Sequence, residues 1–233
     1  MVDRTPSVLI TGANRGVGLE LVRQYVVAGW RIHACCRNPV DAHDLRDVLK
    51  GYDGLIHSLD VSDHQSIHDL KDTLEKEPID VLINNAGVFG GEHQSFGDMD
   101  YAAWAGALET NTFGPYRLTE ALLDNVESGH DARIVNISSG MGSVTNYVRG
   151  GDYIYRTSKT ALTMVTLNLS YDLKDRGIIF TAFHPGWVQT GMGGAKADLT
   201  PEQSAMALKQ SIDALTSEQN GAYLNYDGAT IPW

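Results

Sequence analysis

Tyr155 and Lys159 stand four residues apart in the stretch YIYRTSKTALTMVTLNLSYDLKDRG, residues 153–177. On a helix that spacing stacks both side chains on one face. Free tyrosine titrates at about pH 10, too high for acid–base work near neutrality. A cation within a few ångströms favours the phenolate and lowers that value. The pair could then pass a proton to or from an alcohol oxygen. Alone, such a spacing is common by chance and more often marks an exposed Tyr and Lys on a solvated helix face. Periodicity supports the helix: small or apolar residues recur at 158, 161, 162, 165, 169 and 173, a helical and not an alternating pattern. Gly177, after Lys174 and Arg176, reads as its C-terminal stop.

A second candidate lies near the start of the chain. The apolar run SVLIT (7–11) leads into Thr11-Gly12-Ala13-Asn14-Arg15-Gly16-Val17-Gly18 and then a helical pattern. Strand, glycine-rich turn and helix together give a glycine motif meaning. Gly12 allows a tight turn, Gly16 lets the backbone approach a pyrophosphate, and Gly18 permits close helix–strand packing. Free N–H groups at the helix start then face phosphates. An NAD site places a carboxylate roughly 20 residues past the glycines to hold the ribose 2′-hydroxyl. Cys36-Arg37-Asn38 occupies that region, with no acid. Arg37 can pair bidentately with a 2′-phosphate, and Arg15 can close on it from the turn. The expected cofactor is therefore NADP(H), with NAD(H) possible.

The elements that must position these groups alternate along the whole chain. Strands are expected at 7–11, 31–36, 54–59, 79–84, 132–138, 178–183 and 221–225. Between them come helices over 17–28, ended by Gly29, and over 40–50. Another opens at a Ser62/Gln65 capping box and carries Ile67, Leu70 and Leu74. A long helical region spans 98–123, interrupted near Gly114-Pro115, and is followed by the Tyr155 helix. A last helix opens with Thr200, Pro201 and Gln203 and carries Ala205, Leu208, Ile212 and Leu215. The strands are continuous apolar runs, which means a parallel sheet covered on both faces. The expectation is one α/β domain, a doubly wound seven-stranded Rossmann fold. The irregular segments 86–97, 140–152 and 186–199 follow strands and should line the site, since ligands bind beyond the carboxyl ends of such strands.

The bulk properties exclude other classes. The chain has 233 residues, 42% hydrophobic and 20% charged, with a net charge of −11. No basic run is present to neutralise phosphates, so nucleic acid is not an expected partner. No segment is apolar for the roughly 18 residues a membrane span needs, and the N-terminus lacks the apolar core of a signal peptide. Cys35 and Cys36 are adjacent and point to opposite faces of a strand, so they cannot bridge. A cytoplasmic location is expected. The sequons at Asn136 and Asn168 read as chance. The eight histidines lack ligand spacing, no metal is expected, and His184 reads as structural.

These residues match a family. The chain resembles the short-chain dehydrogenase/reductases through Thr11–Gly18, Asp60, Asn84-Asn85-Ala86-Gly87, Asn111, Ser138-Ser139, Tyr155 with Lys159, and Pro185-Gly186 followed by Thr190. YRTSKTAL, HPGWVQTGMGG and NYDGATIPW further resemble the C-factor and sniffer-like carbonyl reductase branch. The resemblance implies hydride transfer between a carbonyl compound and an alcohol. Tyr155 would be the acid, Lys159 would tune it and hold the nicotinamide ribose, and Ser139, with Ser138 as the alternative, would hydrogen-bond the substrate carbonyl. Asn111 would fix a water in a relay to Lys159. Gly12, Asn14, Arg15, Gly16, Val17, Gly18 and Arg37 would hold the phosphates. Asp60 and Val61 would contact adenine, with Asn85, Ala86 and Gly87 along its ribose. Pro185, Gly186, Val188 and Thr190 would hold the carboxamide and pyrophosphate.

The resemblance also implies a homodimer or homotetramer through the Asn111 and Tyr155 helices. The cofactor-binding half would be roughly residues 1–130 and the catalytic half 131–233. Sixteen positions separate Ser139 from Tyr155, somewhat more than is usual in the family, so 140–152 should form a loop over the substrate. The lid segment 191–199 is short, which suggests an open pocket. Trp187, Tyr147, Tyr153 and Trp104 are candidate pocket walls. An extended-branch sugar-nucleotide epimerase would need a further substrate domain. A binding or signalling protein with little turnover is the other reading.

Overall fold

The structure is a computed structural model that describes residues 4–233. Seven parallel strands form one sheet: β1 (Ser7–Thr11), β2 (Arg31–Cys36), β3 (Gly54–Ser58), β4 (Val81–Asn84), β5 (Arg133–Ile137), β6 (Ile179–His184) and β7 (Tyr223–Asn225). Their order is β3-β2-β1-β4-β5-β6-β7, so the sheet reverses direction between β1 and β4. The helices are α1 (Gly16–Val27), α2 (His43–Leu49), α3 (His64–Leu74), α4 (Tyr101–Leu108), α5 (Gly114–Glu127), α6 (Tyr153–Asp172) and α7 (Pro201–Asp213). This is the expected doubly wound Rossmann fold. No helix among the described residues is long and apolar enough to cross a membrane.

Alternation along the strands divides the core in two. Val8, Ile10, Ile32, Ala34, Val81, Ile83 and Val135 pack with α1, α2 and α7. Leu9, Cys35, Leu82, Ile134 and Phe180 pack with α3 and α5, joined by Leu169 and Leu173 at the end of α6. Cys36 lies in the first cluster and Cys35 in the second, both free, as adjacent strand residues must. α7 opens with the expected capping box: Gln203 N–H donates to Thr200 Oγ1 at 3.2 Å, and Thr200 N–H to Gln203 Oε1 at 2.9 Å.

Several boundaries differ from the sequence expectation. The Asp60 carboxylate accepts from the Ser62 N–H at 3.0 Å and hydroxyl at 2.6 Å. Ser62 is thereby occupied, and Asp63, not Ser62, caps α3 by accepting from Gln65 N–H at 3.0 Å. The region 40–50 divides into a 3₁₀ turn, Pro39–Asp41, and the shorter α2. Residues 98–99 belong to a small antiparallel hairpin, Gln94–Ser95 with Asp98–Met99. Beyond them the helix does not break at Gly114-Pro115. It passes through a π turn, Glu109–Phe113, and continues as α5 to Glu127. α6 begins at Tyr153 and ends at Asp172, and Gly177 (φ 71°) closes a following 3₁₀ turn. On α6, only 158 and 162 of the expected stripe are fully buried. The buried face is rich in Ser and Thr: Ser158, Thr163, Thr166 and Ser170.

Asp80, just before β4, ties together the amino ends of the central strands β1, β4 and β5. Its buried carboxylate accepts from Arg4 Nη1 at 2.8 Å and Nη2 at 2.5 Å, and from the backbone N–H groups of Ser7 and His130, each at 2.6 Å. Burial alone would raise its pKa; the hydrogen bonds from Arg4, His130 and Ser7 with the Arg4 charge outweigh that and hold it below 3.8. A depressed carboxyl contributes stability that is complete above the unfolded value and lost as pH falls through the folded one. Replacing Asp80 with Asn should cost about 2–4 kcal/mol at neutral pH. It should also flatten the acid limb of the unfolding midpoint below about pH 4. Thermal melts across that range check both; a variant as stable and as pH-sensitive as the parent would contradict this role.

Candidate active site

All the turns expected to carry chemistry lie at one end of the sheet. Gly12 follows β1, Arg37 follows β2, Asp60 β3, Asn85 β4, Ser139 β5 and Pro185 β6. Parallel pairing of Thr11 with Cys35 brings the glycine turn beside Arg37.

The first turn has the backbone a phosphate cradle needs. Gly12 (φ 64°) and Gly16 (φ 55°) adopt left-handed conformations, open to glycine at no steric cost. α1 begins after Arg15 with no side-chain cap, so its first N–H groups are left for a ligand. A Cβ on Gly16 would stand 3.2 Å from Thr190 Cγ2, so the loop after β6 closes over the turn. Arg15 and Arg37 are exposed, and among the described residues neither guanidinium makes a hydrogen bond or ion pair. Asn14 is exposed and Val17 packs against the first core cluster.

Thr11 joins this turn to the next: its hydroxyl accepts from Asn85 and Ala86 N–H, each at 3.0 Å. The Asn85 carboxamide donates to Thr11 O at 2.8 Å and Gly12 O at 3.2 Å. Asp60 is committed to Ser62, and Val61 is buried with its carbonyl against Gly114. Pro185 O accepts from Ser204 Oγ at 2.6 Å, Gly186 has φ 84°, and Val188 bridges to Leu199.

The second group forms around α6. Lys159 is 4% exposed, and its ammonium donates to Ile137 O at 2.8 Å. Burial lowers its pKa to about 8. Nζ lies 5.9 Å from the centre of the Tyr155 ring. A Cβ on Gly87 would be 3.4 Å from Lys159 Nζ and 3.2 Å from Asn111 Oδ1; Gly87, Lys159 and Asn111 thus converge on one point. Tyr155 is buried against Phe89, ring centres 5.0 Å apart. Its pKa is raised, by burial first, with a hydrogen bond from Ser139 acting in the opposite sense. The sequence expectation was a phenol lowered by Lys159; at this separation burial dominates. Ser139 is the serine that faces Tyr155, while Ser138 Oγ donates to Lys159 O at 3.2 Å.

Asn111 lies in the π turn, a local feature frequent at functional sites. Its carboxamide is saturated: Nδ2 donates to Val88 O at 2.8 Å and Ser158 Oγ at 2.9 Å, and Oδ1 accepts from Val88 N–H at 2.8 Å. His184 sits against Gly140 with Nδ1 unpartnered, and burial lowers its pKa to about 4, so it is neutral at pH 7. Trp187, Tyr147 and Tyr153 are partly exposed. Trp104 Nε1 donates to Thr157 Oγ1 on α6 at 2.9 Å. Sequence reasoning passed over Gln94, which accepts from Tyr155 N–H, and Tyr223, whose hydroxyl donates to Ser139 O. Both contacts join distant segments and carry no local signal.

A parallel nucleotide-binding sheet with a buried tyrosine–lysine pair at its carboxyl end defines a class of nicotinamide-linked oxidoreductases. The chain belongs to the short-chain dehydrogenase family: residues 6–200 match the family described as short chain dehydrogenase. It is 42% identical to the C-signal of Myxococcus xanthus over 156 residues, covering 67% of this chain and 93% of that protein. The carbonyl reductase Sniffer of D. melanogaster superposes with a TM-score of 0.89 at 32% identity, covering 99% of this chain and 100% of the other. An NADPH-bound carbonyl reductase from chicken fatty liver gives the same four values.

A Cβ on Gly18 would meet Gly12 O at 2.3 Å and Asn85 Nδ2 at 2.5 Å. Gly18→Ala must therefore displace the turn, at a cost of about 1–3 kcal/mol. A lowered unfolding midpoint is the expected result; an unchanged one would show that the turn yields freely.

Proposed function

We propose that this protein is an NADPH-dependent carbonyl reductase, with Tyr155 as its proton donor. The observation that carries the reading is the buried Tyr155–Lys159 pair, with Ser139 beside the phenol. When bound, the reduced nicotinamide would supply a hydride to the carbonyl carbon. Tyr155, kept protonated by burial, would give its proton to the developing alkoxide. Ser139 would donate a hydrogen bond to the same oxygen, placed where negative charge develops. Lys159 would hold the nicotinamide ribose and, as an ammonium that burial makes more acidic, with a pKa of about 8, return a proton to the phenolate. The Asn111 side chain is spent on Val88 and Ser158, so we assign it to holding that loop and leave any water relay to peptide groups of the π turn.

The residues present suit this cofactor. The uncapped start of α1 and the left-handed glycines would receive the pyrophosphate, and Arg15 and Arg37, exposed and unpaired among the described residues, a 2′-phosphate. The NADPH-bound state of the chicken relative supports NADP(H) over NAD(H). Asp60 with Val61, Asn85 to Gly87, and Pro185 to Thr190 would line the remainder. The division into a cofactor half and a catalytic half stands as part of this proposal, with Asn111 crossing it. Phe113, Tyr116, Met164 and Tyr171, exposed on the π turn, α5 and α6, offer a surface for a second copy, as a dimer or tetramer would need.

Similarity to the C-signal favours a second reading, a nucleotide-binding signalling protein with little turnover. Mixing the protein with NADPH and a panel of aldehydes and diones, and following nicotinamide absorbance, separates the two. Steady oxidation supports the reductase; tight NADPH binding without turnover supports the signalling protein. In the same assay Arg37→Ala should raise the KM for NADPH by about tenfold or more, since a charged hydrogen bond to phosphate is lost. The KM for NADH should stay unchanged. Equal effects on both cofactors would remove Arg37 from the 2′-phosphate site.

A further inference from the structure

Gln94 is 3% exposed and lies in the small hairpin, 61 residues before Tyr155. Its Oε1 accepts from the Tyr155 backbone N–H at 3.1 Å. Its Nε2 donates to Gly91 O at 2.6 Å and Phe89 O at 3.3 Å. A glutamine carries two amide N–H groups and one carbonyl oxygen, and all are used.

The start of α6 explains why such a contact is needed. A helix leaves its first N–H groups without internal partners, and an N-cap side chain normally accepts from the second or third of them. Here the N-cap is Asp152 in a left-handed conformation (φ 53°), with no capping bond. Its carboxylate is turned to Arg149 Nη2 at 2.7 Å. Tyr155 is the third residue of the helix, and Gln94 accepts the N–H that Asp152 leaves free.

The other end of the Tyr155 peptide unit is held as well. Tyr155 O accepts from Ser158 Oγ at 2.8 Å, and that hydroxyl accepts from Asn111 Nδ2. Both carboxamides also grip one segment, Asn111 at Val88 and Gln94 at Phe89 and Gly91. That segment packs tightly on α6. A Cβ on Gly90 would stand 2.3 Å from Ile154 Cγ2, and the Phe89 ring lies on that of Tyr155.

We propose that Gln94 is a positioning residue for Tyr155, a remote N-cap that fixes where α6 holds the phenol against Ser139 and Lys159. The catalytic part rests on Tyr155 being the proton donor; the capping part does not.

Gln94→Met keeps the volume and removes the polar groups. In this variant the Tyr155 amide should exchange with solvent about tenfold faster, while amides in the middle of α6 keep their protection. The kcat for carbonyl reduction should fall about tenfold through lost alignment, with NADPH affinity within about twofold of the parent, because the phosphate cradle lies on other elements and Lys159 is also held by Ile137 O. A Tyr155 amide that stays protected overturns the proposal. So does a kcat that stays unchanged once the amide is exposed. If the parent itself turns over no carbonyl, the reductase reading fails, and amide exchange still decides the cap. Gln94→Ala serves should the Met variant not fold: it too removes the acceptor for Tyr155 N–H, so that amide should again exchange about tenfold faster, and parental protection there overturns the proposal.

Discussion

An ammonium buried at the carboxyl end of the sheet is the constraint on which the site depends. Among the described residues Lys159 has one acceptor, Ile137 O at 2.8 Å. A buried cation with so little compensation shifts its titration, and burial brings Lys159 to about 8. Such a group persists only if its surroundings are fixed. β5 supplies the acceptor, α6 supplies the side chain, and the Gly87 turn leaves the space above Nζ open. The same burial raises the Tyr155 phenol. The two groups therefore move apart in titration, which leaves the ammonium the stronger acid of the pair and able to reprotonate a phenolate.

The sheet makes this possible by separating tasks. Apolar residues on alternate faces of β1, β2, β4 and β5 hold two helical layers. The backbone then delivers six turns to one end. Hydrogen bonds donated by Asn85 to Thr11 bind the first and fourth turns together. Asn111 and Ser158 bind the π turn to α6. Polar residues on the inner face of α6 do the same toward β5, where Asn136 donates to Thr166 at 2.8 Å. The helix that carries Tyr155 and Lys159 is thus held by directional bonds where an apolar stripe would allow sliding.

Much of this was legible in the sequence. Continuous apolar strands alternating with helices state the fold, because only a doubly covered parallel sheet buries them. Glycines at 12, 16 and 18 and the Tyr155–Lys159 spacing mark the candidate site, because a glycine turn and a four-residue helical spacing are local features. Three features were not legible. The Ser62 cap failed because the Asp60 carboxylate competes for that hydroxyl, a contact that depends on how β3 ends. The π turn at Glu109–Phe113 left Gly114-Pro115 looking like a break, although a local widening lets the helix continue. The direction of the Tyr155 shift depended on burial against Phe89 and on the 5.9 Å to Lys159, neither of which a spacing of four residues contains.

The central claim is that a buried phenol donates the proton. It is tested most directly by Tyr155→Phe at saturating NADPH with a reactive carbonyl, alongside a titration of NADPH binding. The account predicts a kcat lower by about a hundredfold or more, with cofactor affinity retained. Undiminished NADPH oxidation by the variant would contradict it.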